Sequence, residues 1–192
     1  MDKILSTYNH GLCLFSVNVL SDFLKKEKIR SKKILDLFQK DSNRYLLSQE
    51  EGIWIPLAQI NSGEYVIKLQ EENESFSDDW EQKIEYEGFN LNVSDGVWIS
   101  DIGSLLTFEK SAFCGTEITF EDGDGALLCS DTKYNIPTGK YSVKIKGYVR
   151  KQLLEYPNSN YGYLFSFTKV DTFEGYKNPR EEIYNFNLAD IK

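Results

Sequence analysis

The chain has one histidine, one methionine, four prolines and three cysteines in 192 residues. Each scarcity closes off a class of chemistry. His10 could pair with Cys13 across one helical turn, but two ligands fall short of a metal site, and no other histidine or cysteine lies nearby in the sequence. Cys13, Cys114 and Cys129 are far apart, odd in number and free of any CxxC pair, which favours a reducing, cytoplasmic setting over a disulfide framework. Cys114 and Cys129 lie within or beside expected strands and read as small buried hydrophobes rather than nucleophiles. No apolar run approaches the roughly 20 residues of a spanning helix, and MDKILSTYNHG lacks the charged-then-apolar pattern of a signal peptide. Neither membrane insertion nor export is therefore expected. The nucleophile elbow GxSxG, the phosphate loop GxxxxGK[ST], the dinucleotide motif GxGxxG and the zinc helix HExxH are all missing. Positive charge is also short: 22 Lys and Arg face 30 Asp and Glu, a net −8. Phosphate contacts need clustered bases, so nucleic acid is an unsuitable partner. No metal, cofactor or catalytic residue is expected, although thirty acids leave open a carboxylate pair that converges only in three dimensions.

Aromatic residues are abundant, with twelve Tyr, twelve Phe and three Trp, which suits a strand-rich fold. From Gly11 to Lys28, Leu12, Phe15, Val19, Leu20, Phe23 and Leu24 fall at helical spacing, with Lys25, Lys26 and Lys28 at the end where the helix dipole favours cations. Ser31 would cap a second short helix, SKKILDLFQK, ending near residue 40. After about residue 44 the period changes to short segments rich in aromatic and β-branched residues: GIWIPLAQI, EYVIKL, KIEYEGFNLNV, GVWIS, SLLTF, TEITF, ALLCS, KYSVKIKGYV and YGYLFSFTKV. In KYSVKIKGYV, Tyr141, Val143, Ile145 and Gly147 alternate with Ser142, Lys144, Lys146 and Tyr148, so one face of that sheet should be wet. The expected class is α+β, mainly β: an N-terminal helical segment, 1–44, against antiparallel sandwich-like sheets, 45–192, in one cooperative unit.

Two stretches invite comparison within the chain. Gly52–Ile55 resembles Gly96–Ile99, and Ile60–Leu69 resembles Ile136–Ile145, each with a Gly-containing turn that feeds a strand opening on Tyr65 or Tyr141. Either a duplication with an inserted hairpin or repeated turn chemistry would produce this echo. The acidic EDGDGALLCSD at 121–131 invites a calcium reading. An EF-hand beginning at Asp122 would need oxygen ligands at its third and fifth positions, glycine at its sixth and Glu at its twelfth. Its fifth, sixth and twelfth positions are Ala126, Leu127 and Lys133. A tight hairpin turn is the better reading.

Charge is concentrated. Residues 71–95 carry nine acids against one base, Lys83, a net −8 that equals the charge of the whole chain. Trp80 lies inside this segment, whereas Trp54 and Trp98 lie in the echoed strands and belong in the core. An aromatic ringed by carboxylates has the composition of an interaction hot spot facing a basic surface, or it anchors its loop by folding back on the sheet. The partner-binding residues on the first reading are Trp80, Asp78, Asp79 and Glu81, with Glu74, Glu85 and Glu87 around them.

At DGVWISDIGSLLTFEK and IPTGKYSVKIKGYVRK…YGYLFSFTKVD, across residues 85–171, the chain resembles the immunity proteins of bacterial polymorphic-toxin and contact-dependent inhibition systems. The resemblance implies a cytoplasmic protein that binds and neutralises a cognate toxin domain; the missing catalytic motifs fit a non-enzymatic role, and the acidic segment suits a basic nuclease as that toxin. It carries over no functional residue. Two other classes remain open from the sequence: a β-sandwich carbohydrate-binding module and a carboxylate-dependent hydrolase.

Overall fold

A computed structural model describes residues 3–70, 75–155 and 157–191. The protein is α+β and mainly β, with ten strands in two five-stranded sheets among these residues. The strands are β1 (Lys3–Thr7), β2 (Gly11–Phe15), β3 (Trp54–Ala58), β4 (Gly63–Leu69), β5 (Trp80–Val93), β6 (Val97–Asp101), β7 (Glu117–Glu121), β8 (Leu127–Tyr134), β9 (Gly139–Arg150) and β10 (Tyr161–Val170). The outer sheet has the order β1-β4-β10-β9-β5, and only its β4–β10 pair is parallel. The inner sheet, β3-β2-β6-β8-β7, is antiparallel throughout. Three helices, α1 (Val17–Lys26), α2 (Ile34–Lys40) and α3 (Ser42–Glu50), cover the far face of the inner sheet.

The alternation of side chains explains the layering. Leu12, Leu14, Ile55, Leu57, Val97 and Ile99 face the outer sheet and meet Tyr65, Val143, Ile145 and Phe165 in the larger core. Their neighbours Cys13, Phe15, Trp54 and Trp98 face the helices, with Leu20, Phe23, Phe38 and Tyr45 above them. Strands β2, β3 and β6 are thus covered on both faces and buried at nearly every position, whereas β7 and β8 are partly exposed. On the outer sheet the expected alternation holds: Tyr141, Val143 and Ile145 are buried and Lys144 and Lys146 face water.

The first fifteen residues depart from expectation. The segment expected to begin a helix at Gly11 is strand β2, preceded by β1, and the helix starts only at Val17. GLCLF is buried at every position, so it shows no strand alternation, and Leu12 and Phe15 are as compatible with helical spacing as with a doubly covered strand. A third helix, α3, extends the helical layer to Glu50, and SLLTF forms part of a 3₁₀ turn (Ile102–Leu105) rather than a strand. Cys114, expected to be buried, is exposed.

The echoed segments occupy equivalent places. Trp54 and Trp98 flank Phe15 in the inner sheet, and β4 and β9 flank β10 in the outer one. The hydroxyls of Tyr65 and Tyr141 each donate to a carbonyl four residues back, Asn61 at 2.7 Å and Pro137 at 2.8 Å. A duplicated unit would keep the relative direction of its two strands. β3 and β6 both run antiparallel to β2, but β4 runs parallel and β9 antiparallel to β10. The echo is repeated turn chemistry, not a repeated unit.

The EDGDG stretch is the β7–β8 hairpin. One oxygen of Asp122 accepts the amides of Asp124 at 2.9 Å and Ala126 at 2.8 Å, and Gly125 takes the left-handed conformation at φ +82°. The carboxylate therefore serves the turn. An amide oxygen can accept the same bonds, so Asp122→Asn with Asp124→Asn should leave thermal stability unchanged with or without millimolar calcium. Asp122→Ala should cost about 1 kcal/mol, in the range of a lost cap. Calorimetry checks both, and a calcium-dependent gain of several degrees in the wild type alone would contradict the assignment.

Among the described residues, Asp131 is the one carboxylate with no exposed surface. Ser104 donates to it at 2.7 Å and Ser130 at 2.5 Å, and no ion pair reaches it among the described residues. Burial raises its pKa above the ordinary carboxylate value, partly offset by the serine hydrogen bonds. The folded state thus holds the proton more tightly than the unfolded chain does. Its stabilising effect is complete below the unfolded carboxylate pKa and is lost as pH rises through the folded value. Asp131→Asn should therefore raise stability at pH 7, and the gain should vanish as pH falls into the acid carboxylate range. Urea unfolding at a series of pH values measures this.

Candidate partner-binding surface

The acidic segment does not present nine free carboxylates. Asp95 accepts a hydrogen bond from Ser16 and the Asn18 amide at 3.4 Å, which places it at the N-terminus of α1, where negative charge is favoured. Glu85 and Glu87 stand on the wet face of the outer sheet on either side of Lys144, at 3.2 Å and 2.8 Å, and Glu85 also reaches Lys146 at 3.6 Å. The hydrogen bonds with Lys144 lower the pKa of both acids and raise that of the lysine. Glu81 pairs with Lys83 at 2.9 Å. These exposed pairs add little stability, but they cancel the field that a basic partner would meet. Glu74, like the neighbouring Glu71 and Glu72, lies outside the described residues.

Asp78 and Asp79 remain. They form an exposed turn immediately before β5 and have no ion pair among the described residues. Trp80 is half-buried beside them. The Arg150 guanidinium lies 4.5 Å from its ring centre, and the Phe76 ring is 4.7 Å away. Phe76 in turn stacks on Tyr148 at 4.4 Å and covers Val66 and Leu164. Gly162 makes room for it, because a Cβ there would meet the Phe76 ring at 2.5 Å. Trp80 therefore anchors its loop on the sheet, as one of the two sequence readings held, and keeps part of its ring in contact with water.

Two residues complete this surface that the sequence reading did not single out. β9 ends at Arg150 opposite Trp80, and the next amide, Lys151, donates to the Asp79 carbonyl at 2.8 Å. The loop that begins there carries Leu153 and Leu154, which are 62% and 39% exposed. The loop is held in place rather than loose. Asn160 accepts the Leu154 amide at 2.8 Å and donates to its carbonyl at 2.9 Å, and Arg150 donates to the Ser159 carbonyl at 3.0 Å. A pair of exposed leucines on an ordered loop beside an unpaired acidic turn combines an apolar centre with a charged rim. The available signal was the dipeptide Leu-Leu between two strands in a stretch with no alternation to bury it.

A larger concavity of about 950 Å³ lies elsewhere, beneath the C-terminal strap of residues 178–190, where it crosses α2, the β1–β2 turn and the end of β3. Arg180 pins that strap. Its guanidinium lies 3.9 Å from the Tyr45 ring centre and donates to the Phe38 carbonyl at 3.0 Å. The Tyr45 hydroxyl donates to Asn178 at 2.7 Å. Partial burial lowers the arginine's pKa and raises that of the tyrosine.

Among the described residues, no three of His, Cys, Asp and Glu gather as a metal site, and no helix is long and apolar enough to cross a membrane. Comparison with protein-family models, with curated proteins and with solved structures finds no match to this chain.

Proposed function

We propose that the protein binds and neutralises a partner protein, in the manner of a bacterial immunity protein acting on a cognate toxin domain. The observation that carries this reading is the pair of exposed leucines, Leu153 and Leu154, held beside the unpaired Asp78–Asp79 turn and the half-buried Trp80. Exposed apolar side chains on an ordered loop cost solvation in the free protein and regain it when a partner covers them. The adjacent carboxylates favour a partner with basic residues around its apolar contact and would steer its approach. The neutralised ladder at Glu81, Glu85 and Glu87 lies farther along β5 and has a smaller share in this account.

The test is co-expression in a bacterial host with the protein encoded by the neighbouring gene. Growth arrest caused by the neighbour should be relieved by this chain, and the two should elute together as a complex. A toxic neighbour that arrests growth equally with and without the chain would overturn the proposal.

A further inference from the structure

The groove beneath the C-terminal strap has a chemistry of its own, and it does not depend on the leucine-bearing loop. Its volume, about 950 Å³, is at the upper end of the range for ligand sites. Its free polar groups are of two kinds. Gln39 and Gln59 line it from α2 and from the end of β3, both exposed and without a side-chain hydrogen bond among the described residues. Glu181 and Glu182 line it from the strap, also exposed and without an ion pair among the described residues; Asp190, which accepts the Asn187 side-chain amide at 2.7 Å, lines it as well. Among the described residues the one arginine or lysine in its wall is Arg180, already committed to the Tyr45 ring and the Phe38 carbonyl.

The backbone at the rim is unusual as well. His10 and Gln59 are non-glycine residues with φ of +54° and +62°, and both line the groove. The His10 carbonyl accepts the Ile60 amide at 3.2 Å, which ties the two left-handed turns together. Non-glycine residues are strained in this region and gather where side chains are aimed at a ligand.

We propose that this groove binds an extended peptide segment carrying lysine or arginine. A side-chain amide offers one acceptor and a donor pair, which matches the donor and acceptor of a peptide group. Gln39 and Gln59 are therefore suited to a main chain lying in the trough. Glu181 and Glu182 supply charge for cationic side chains on the strap side, and charge-assisted hydrogen bonds are the stronger kind.

The probe is a phage-displayed library of random hexapeptides, panned against the whole chain and, in parallel, against the Glu181→Gln/Glu182→Gln variant, whose substituted side chains are exposed and remote from the core. Selected peptides are then synthesised and titrated into isotope-labelled protein. Sequences with at least two lysines or arginines should be enriched on the wild type. Their amide shifts should concentrate at His10, Gln59 and residues 181–185, and affinity for the variant should drop about tenfold or more, with a weaker salt dependence. Three results would each overturn the proposal: no enrichment over the variant, enrichment of neutral or acidic sequences, or shifts that map outside the groove.

Discussion

Replacing Trp54 with alanine should destabilise the protein by about 3–5 kcal/mol, the upper range for a large aromatic removed from a core. The reason is its position as the joint between layers. The side chain has no exposed surface and projects from β3 toward the helices. Phe38 of α2 stacks on it at 5.2 Å with 21° between the planes, and Tyr45 of α3 meets it edge-on at 6.2 Å. Its indole N–H donates to Ser48 at 3.0 Å, and the Arg180 guanidinium is 5.7 Å from its ring centre. Removing it leaves a cavity under two helices and loosens the pin of the strap. For a domain of this size the melting temperature should fall by roughly 6–20 °C, with faster amide exchange at 178–185. Trp98 provides an internal control, because it is equally buried but its indole N–H has no partner among the described residues. Trp98→Phe should therefore cost less than Trp54→Phe, which also gives up the indole's buried hydrogen bond to Ser48. A loss below about 1 kcal/mol for Trp54→Ala would mean that the helical layer is held by something else.

The legible and illegible parts of the fold separate along physical lines. The outer sheet was readable because water covers one of its faces, and the alternation from Tyr141 to Tyr148 records that. Strand β2 is covered on both faces, so GLCLF carries no period of its own and reads as part of the helix that follows it. The helix α3, SNRYLLSQE, buries only Tyr45, Ser48 and Gln49, too few and too polar for an apolar stripe to mark it. The echo was visible, and so was the turn chemistry behind it. Whether it meant duplication depended on strand directions that no local pattern encodes.

The surface shows the same division. The acidic run was plain in the sequence, but its effective charge depends on β9. Lys144 and Lys146 neutralise Glu85 and Glu87 from sixty residues away in the chain, through a register set by strand pairing. The anchoring role of Trp80 depends on Arg150 and Phe76, which meet its ring from a distant strand and from the preceding loop. Leu153 and Leu154 lacked any pattern except their place in a loop. The strap is hidden more deeply, since Arg180 near the C-terminus meets Tyr45 of α3, far from it in the sequence.

The second large effect concerns binding, and it rests on the division of labour between apolar centre and charged rim. Leu153→Ala with Leu154→Ala removes side chains that belong to none of the core clusters, so the fold should be retained. If a partner covers them, dissociation should accelerate by about thirtyfold or more, equivalent to roughly 2 kcal/mol. Trp80→Ala should act in the same direction. Asp78→Lys with Asp79→Lys reverses charge at an exposed turn, so it should slow association and flatten its salt dependence, with a smaller change in dissociation.

The deciding measurement is the binding kinetics of these variants against the protein encoded by the neighbouring gene, at two salt concentrations, with circular dichroism to confirm that each is folded. The account predicts fast dissociation for the double-leucine variant and slow association for the double-lysine variant. Folded variants that all bind with wild-type rate constants would contradict it and would place the interface on another face of the molecule.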